Sequence, residues 1–339
     1  MPAHATSYLF ALFGTLALCC ALAWTFNALV DPLWYFGGNK LGPINYAFNE
    51  RLSKPNLIAG HEDEYDCVIF GDSRVTLLPE HRIEGYRCFN FAFSSGVAPE
   101  FVDYAEWLKA RGFSPKLVVV GLSAGDFRSI PQAHNTPAFI REKSPPESPY
   151  LAYLSLDVLA MSWRTLFGTS PLDRVYDSDF RCRAASLQRL YDPRVPIRDL
   201  RSGPFDNRKP IATYRTLKAV FPNARFVGYA SPLSAWAIAE YARMGWLESY
   251  TRALHDASEV FDRFTDYSIP SAMTADPAMT YDGTHYSPTA NEAIARTLTG
   301  GHAEEALDLK SISADEMTAT YRARLARYDE TLRRGLAAH

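Results

Sequence analysis

The chain has 339 residues, 47% of them hydrophobic and 13% aromatic, which supplies a sizeable core and excludes wholesale disorder. Lys and Arg number 35 against 38 Asp and Glu, a formal net charge of -3. That balance, with no basic stripe interleaved with aromatics, argues against a nucleic-acid partner.

Residues 7–30, SYLFALFGTLALCCALAWTFNALV, carry no charge over a length that suffices to cross a bilayer as a helix. A cleaved secretory leader is the competing reading, but no Lys or Arg precedes Lys40, so its basic amino-terminal region is missing. A lipoprotein anchor fits poorly, because Cys19 follows Leu18 and Cys20 follows Cys19, where a small residue is needed. We expect a transmembrane anchor over residues 1–30, in the inner (cytoplasmic) membrane, with the remaining chain extracytoplasmic or periplasmic. Residues 31–65 are rich in Gly, Pro and Asn and read as a linker and irregular lead-in, turning helical near residues 50–58.

Five apolar runs then read as strands: DCVIFG from Asp66, RCFNFA from Arg87, KLVVVG from Lys116, ARFVGYA from Ala224 and EVFDRF from Glu259. The third is almost continuous Val and Leu, the pattern of a strand buried on both faces. PEFVDYAEWLKARG has helical spacing and ends on Gly112. Residues 233–257 hold helix patterns, and SPTANEAIARTLTGG opens with Ser287 as N-cap and Pro288 at the first helical position. Strands alternating with helices imply a parallel sheet inside a domain spanning residues 66–339. Residues 128–215 interrupt the alternation with no clean strand. They read as an insertion over the carboxyl edge of the sheet, not a separate domain, and so as a candidate lid. Residues 313–336, with mixed acids and bases, read as a packing helix. Trp236 and Trp246 are core residues in preference to a sugar platform. Cys67 and Cys88 read as small buried hydrophobes. A disulfide between them is not expected, because neighbouring strands of one sheet rarely present the required geometry. No Cys or His spacing suggests zinc, and no metal or cofactor is expected.

Three short motifs punctuate this frame. Gly71-Asp72-Ser73-Arg74 follows the first strand, where backbone N–H groups can surround a serine hydroxyl. Gly96 lies in a loop after the second strand; it is either a plain turn glycine or a bare N–H facing a ligand. Asp282 and His285 lie three apart just before the helix at Ser287; either the acid orients one ring nitrogen while the other faces outward, as the base of a serine needs, or the Asp caps the helix beside an exposed His. Arg74 either steers an anionic group or is an ordinary surface arginine. His61, His81, His134 and His255 have no partner at ligand spacing.

Taken together, the three motifs resemble the SGNH or GDSL family of esterases and acyltransferases over residues 66–298. The resemblance implies a flavodoxin-like three-layer α/β/α sandwich with a five-stranded parallel sheet in the order 2-1-3-4-5. It implies Ser73 as nucleophile, His285 as base and Asp282 as its orienter. It also implies an oxyanion hole formed by Ser73, Gly96 and the residue at position 123. There the chain departs from the family: Gly-x-Asn-Asp is replaced by GLSAGDF, with Ser123 at the Asn position, Ala124 at the Asp position and Asp126 nearby. Asp72, Arg74 and Asp126 are accessory candidates. With the apolar amino terminus, this variant is similar to membrane-anchored bacterial members that modify envelope polysaccharide or transfer D-alanyl groups.

The expected activity is serine-dependent ester hydrolysis or acyl transfer on an acylated envelope polysaccharide or related extracytoplasmic substrate. The expected partners are an acylated carbohydrate or lipid-linked substrate, a membrane protein that delivers acyl groups, and the membrane itself. The alternative is a catalytically weak SGNH-fold binding or scaffold protein of a polysaccharide-modification system, motivated by the missing Asn.

Overall fold

The computed structural model describes residues 3–127, 134–168, 174–184, 191–194, 205–206, 208–301 and 303–337. Among them the strands are β1 Ile44–Tyr46, β2 Cys67–Phe70, β3 Cys88–Asn90, β4 Leu117–Leu122, β5 Arg174–Asp177, β6 Cys182–Ala184, β7 Arg225–Ala230, β8 Arg263–Asp266 and β9 Leu307–Asp308. Two compact units divide the chain. One joins Met1–Gly60 to Ser144–Ala185, and the other joins His61–Lys143 to Ser186–His339.

The larger unit is mixed α/β around a six-stranded sheet in the order β3-β2-β4-β7-β8-β9. The first five are parallel and follow the order the resemblance implied, with β8 starting later than read. The sixth corrects the expected five: β9 pairs antiparallel with β8, Thr265 opposite Asp308. Two residues are too short a run to show any periodicity in sequence. All six residues of β4 are buried, as its almost continuous Val and Leu require. On one face Cys67, Ile69, Leu117, Val119, Val227 and Tyr229 alternate inward with period two and pack on Ile294, Ala295 and Leu298. Those last three come from the helix Pro288–Thr297 and its C-cap, where Ser287 accepts the Ala290 N–H as the N-cap reading required. The helix Ala98–Ala110 stops before Gly112, whose φ of +90° suits only glycine well. Gly245, with φ +74°, splits the next helical stretch into Ala235–Arg243 and Leu247–Ser258. Against these packs Ala314–Ala337, through buried Met317 and Tyr321 and a bond from Trp236 Nε1 to the Leu332 carbonyl (3.1 Å).

Cys67 and Cys88 form a disulfide, which corrects the expectation of free thiols. They are direct register partners of adjacent parallel strands at a Cα separation of 4.2 Å, close enough for bonding. The bridge closes a loop across a sequence separation of 21, worth about 3 kcal/mol on chain-entropy grounds.

The smaller unit overturns the picture of a linker followed by a strandless insertion. Here β1, β5 and β6 form an antiparallel sheet, so residues 44–46 pair with residues 175–177. The helix Glu50–Ile58 lies where it was read. The helix Ala3–Val30 contains a stretch, Thr6–Val30, long and apolar enough to span a membrane. At its end Asp31 is fully buried and accepts the N–H groups of Tyr35 (2.9 Å), Phe36 (2.9 Å) and Gly38 (2.6 Å), together with the Tyr153 hydroxyl. The expected insertion is therefore divided: Ser144–Ala185 belongs to this unit, and residues 128–133, 169–173, 185–190, 195–204 and 207 lie outside the described residues.

Candidate active site

Parallel strands bring their following loops to one sheet edge, and the larger unit gathers its polar residues there. The residue after β2 is glycine for a steric reason: a Cβ at Gly71 would lie 2.4 Å from Val75 Cγ2. Gly121, in the neighbouring strand β4, faces the same methyl group at 2.3 Å. Val75 thus plugs back against two glycines, and the turn between them lifts residues 72–74. Three bonds hold that turn: Val75 N–H to the Asp72 carbonyl (3.0 Å), Thr76 Oγ1 to the Ser73 carbonyl (2.8 Å), and Arg74 N–H to Asp72 Oδ1 (2.9 Å). From the end of β3, the Asn90 amide donates to the Val75 and Leu78 carbonyls at 3.0 and 3.1 Å, which ties the turn to the next strand.

The second element is the loop from Thr280 to Tyr286, closed by a bridge between those two residues. Gly283 takes a φ of +83° at its tip, and Thr280 Oγ1 both accepts the Gly283 N–H (3.0 Å) and donates to the His285 carbonyl (2.8 Å). From the N-cap of the helix Ala235–Arg243, the Ser234 N–H fixes the tip by donating to the Gly283 carbonyl at 2.9 Å. Asp282 Oδ1 accepts the Thr284 N–H and hydroxyl (2.9 Å each) and the His285 N–H (2.8 Å). Its Oδ2 lies 2.8 Å from His285 Nδ1, and His285 Nε2 lies 2.7 Å from Ser73 Oγ. An ionised carboxylate only accepts, so in the neutral ring Nδ1 carries the hydrogen and Nε2 is left with a lone pair toward the serine. Burial alone would raise the Asp282 carboxyl. The bond to His285, the charge that ring carries when protonated and the two backbone N–H groups outweigh burial and hold it below the usual carboxylate range. Ser73, His285 and Asp282, 212 and 3 residues apart in sequence, therefore form one continuous hydrogen-bonded series.

Two further acids, Asp72 and Asp126, interact beside them. Arg74 is not an ordinary surface arginine: its guanidinium pairs with Asp72, and both side chains are only 12–13% exposed. Burial pushes Asp72 up, but the Arg74 charge and N–H and the His285 charge bring it below its ordinary value. Asp126 goes the other way. Burial and the negative charge of Asp72 push it up to about 7, against the opposing effect of its bonds from Ser123. Those bonds run from Ser123 N–H (2.7 Å) and Ser123 Oγ (3.3 Å) to Asp126 Oδ2. Two acids this close do not both ionise readily, and the arginine decides which one does.

The oxyanion assignments fare differently from the triad residues. The Gly96 N–H donates to the Phe93 carbonyl at 3.0 Å, inside its own turn. What requires glycine at 96 is packing: a Cβ would lie 2.9 Å from the Gly71 carbonyl oxygen. The Ser123 hydroxyl is directed at Asp126. Thr284, Thr280, Gly283, Asn90 and Ser234 carry the positioning bonds and were not assigned these roles in sequence. The Asp-x-Thr turn was the available signal, since Asp side chains bond backbone two residues on. His61 pairs with Glu64, His134 with Asp103 and His255 with the Ile312 carbonyl, all away from Ser73.

In comparisons with known proteins, no family model, no curated protein and no solved structure matches this chain.

Proposed function

We propose that the larger unit is a serine-dependent ester hydrolase or acyltransferase of the SGNH type, built as a three-layer α/β/α sandwich. The observation that carries the reading is the Asp282–His285–Ser73 series at a carboxyl sheet edge. In the proposed reaction His285 Nε2 takes the Ser73 proton while Oγ attacks the ester carbonyl carbon, giving a tetrahedral oxyanion. Collapse breaks the bond to the leaving oxygen, which receives the proton from His285. The resulting acyl-serine is attacked by water, giving hydrolysis, or by an alcohol, giving transfer; His285 removes that nucleophile's proton and returns it to Ser73. Asp126, pushed up to about 7, can carry a proton and so offer a donor beside Ser123, the position where the family uses Asn, which an ionised carboxylate cannot do.

The substrate class we infer is an acylated envelope polysaccharide or a lipid-linked relative, with a membrane protein delivering the acyl group. The apolar helix Thr6–Val30 supports a membrane location, and the Cys67–Cys88 disulfide supports the oxidising side of the inner membrane. A carboxyl-terminal alkaline phosphatase fusion is then active in cells; an inactive fusion with an active cytoplasmic reporter reverses the orientation.

One observation favours a second reading, a weakly catalytic binding or scaffold protein: Gly96 N–H and Ser123 Oγ already have acceptors. A fluorophosphonate probe on the full chain separates the two. Labelling of the parent but not of Ser73→Ala supports the enzyme. A folded parent that takes no label leaves the scaffold.

A further inference from the structure

The smaller unit exposes an apolar surface that the reaction at Ser73 does not use. The short helix Pro149–Ala152 and the helix Leu156–Phe167 follow one another. Tyr150, Leu151, Leu156, Trp163 and Phe167 are each between 60% and 79% exposed. In the longer helix Leu156, Ala160, Trp163 and Phe167 are spaced four, three and four residues apart, so they share one face. The opposite face, Val158, Ser162 and Thr165, is the buried one. This helix turns its more polar face inward and its more apolar face outward, the reverse of what water selects. Such a patch needs a partner.

Its neighbour within the unit says which. The two helices pack on the last turns of the apolar helix Ala3–Val30. Tyr150 stacks on Trp24 with ring centroids 5.8 Å apart, and Asn27 Nδ2 donates to the Tyr153 carbonyl at 2.9 Å. Tyr153 and Val158 share a cluster with Trp24, Ala28 and Leu33. Thr6–Val30 is 25 residues long. At 1.5 Å per residue it exceeds a hydrocarbon core of about 30 Å, so the turns near Trp24 fall at the membrane–water interface. Trp24, Tyr35, Tyr150 and Trp163 supply the amphipathic rings that collect at that level. Asp157 and Arg164, of opposite sign, are exposed on the longer helix, so apolar area rather than charge provides the attraction.

We propose that residues 149–167 form an interfacial membrane-binding element, whose Leu151, Leu156, Trp163 and Phe167 enter the acyl boundary of the leaflet where the amino-terminal helix ends. The inference rests on that helix crossing a bilayer and is independent of the chemistry at Ser73. It makes the attachment two-point, so the smaller unit is held against the bilayer as well as tethered to it.

The test uses the full chain with Cys19→Ala, Cys20→Ala and Cys182→Ser, leaving the disulfide intact. Nitroxides are placed singly at Leu16→Cys, Leu151→Cys, Phe167→Cys and Asp157→Cys, in vesicles of phosphatidylethanolamine and phosphatidylglycerol. Power saturation with oxygen and with a water-soluble nickel chelate is expected to put the labels at 151 and 167 about 5–10 Å below the phosphate level. The Leu16 label reads deep hydrocarbon and the Asp157 label reads water. Labels at 151 and 167 that match Asp157 overturn the proposal. Labels sheltered from both oxygen and nickel also overturn it, in favour of a protein partner or a second copy. A Leu16 label in water removes the anchor and the proposal with it, whereas a Leu16 label in lipid with 167 in water rejects the interfacial element alone.

Discussion

Asp31 in the smaller unit and Asp282 in the larger one each collect four hydrogen bonds from nearby donors, yet they do different work. Asp31 is fully buried, and its donors are three backbone N–H groups and the buried Tyr153 hydroxyl. Burial wins there, and the carboxyl rises above its ordinary value despite those donors. The Asp282 side chain is 52% exposed, and its partner ring passes the interaction on to a serine. There the donors win and the carboxyl falls. The lesson is that donor number does not separate a structural clip from the proton relay proposed at Ser73. What separates them is whether the chain of bonds closes on itself or runs through a base to an accessible hydroxyl.

The largest expected effect comes from opening the relay. Asp282→Asn keeps the shape but lets the amide hold the wrong imidazole tautomer. Turnover of an aryl ester is expected to fall about 10⁴-fold, with the melting temperature nearly unchanged. A loss below tenfold would show that Asp282 does not orient His285. The clip responds in stability instead of rate. Asp31→Ala leaves Tyr153 and three N–H groups without their acceptor at the end of the apolar helix. We expect about 3 kcal/mol of lost stability, read as faster amide exchange over residues 144–168, with turnover unchanged. Unaltered exchange would mean that other contacts hold the helix to its unit.

The smallest effect concerns Asp126, which combines features of both. Its folded-state carboxyl titrates at about 7 against 3.8 ordinarily. Between those values the native state keeps a proton that the unfolded state has lost. Stability from this group is therefore complete below about pH 4 and declines as pH rises toward 7. Asp126→Asn cannot titrate, so the difference in melting temperature between pH 5 and pH 8 should shrink by roughly 2–4 °C. The same variant keeps a donor at all pH values, so aryl-ester turnover of the parent, but not of the variant, declines above pH 7. Parallel pH profiles for the two proteins would remove Asp126 from the site.

Much of the larger unit was legible in sequence because its signals are local. The burial of β4 is written in its almost continuous Val and Leu, and the helix at Pro288 is written in Ser287 and its neighbour. Asp282 and His285 were readable because three residues and one glycine turn suffice to bring an acid onto a ring nitrogen. Ser73 was readable only jointly with them: 212 residues separate it from His285, and the parallel strand order closes that gap.

What the tertiary structure alone decided are pairings that leave no periodic trace. Cys67 and Cys88 bond because β2 and β3 align them in register, a fact of strand pairing and not of spacing. Arg74 pairs with Asp72 inside one turn, but Asp126 reaches that pair, and is pushed up by burial and by the Asp72 charge, only because loops from neighbouring strands share one edge. Gly96, readable in sequence either as a turn glycine or as a donor to a ligand, is fixed by packing: its missing side chain makes room for Gly71, while its N–H stays in its own turn. Residues 44–46 and 174–177, read as lead-in and insertion, became one sheet, because short strands gain their stability from partners far away in the chain. Local patterns determined the elements and the chemistry-bearing residues; long-range contact decided which polar groups were left to act.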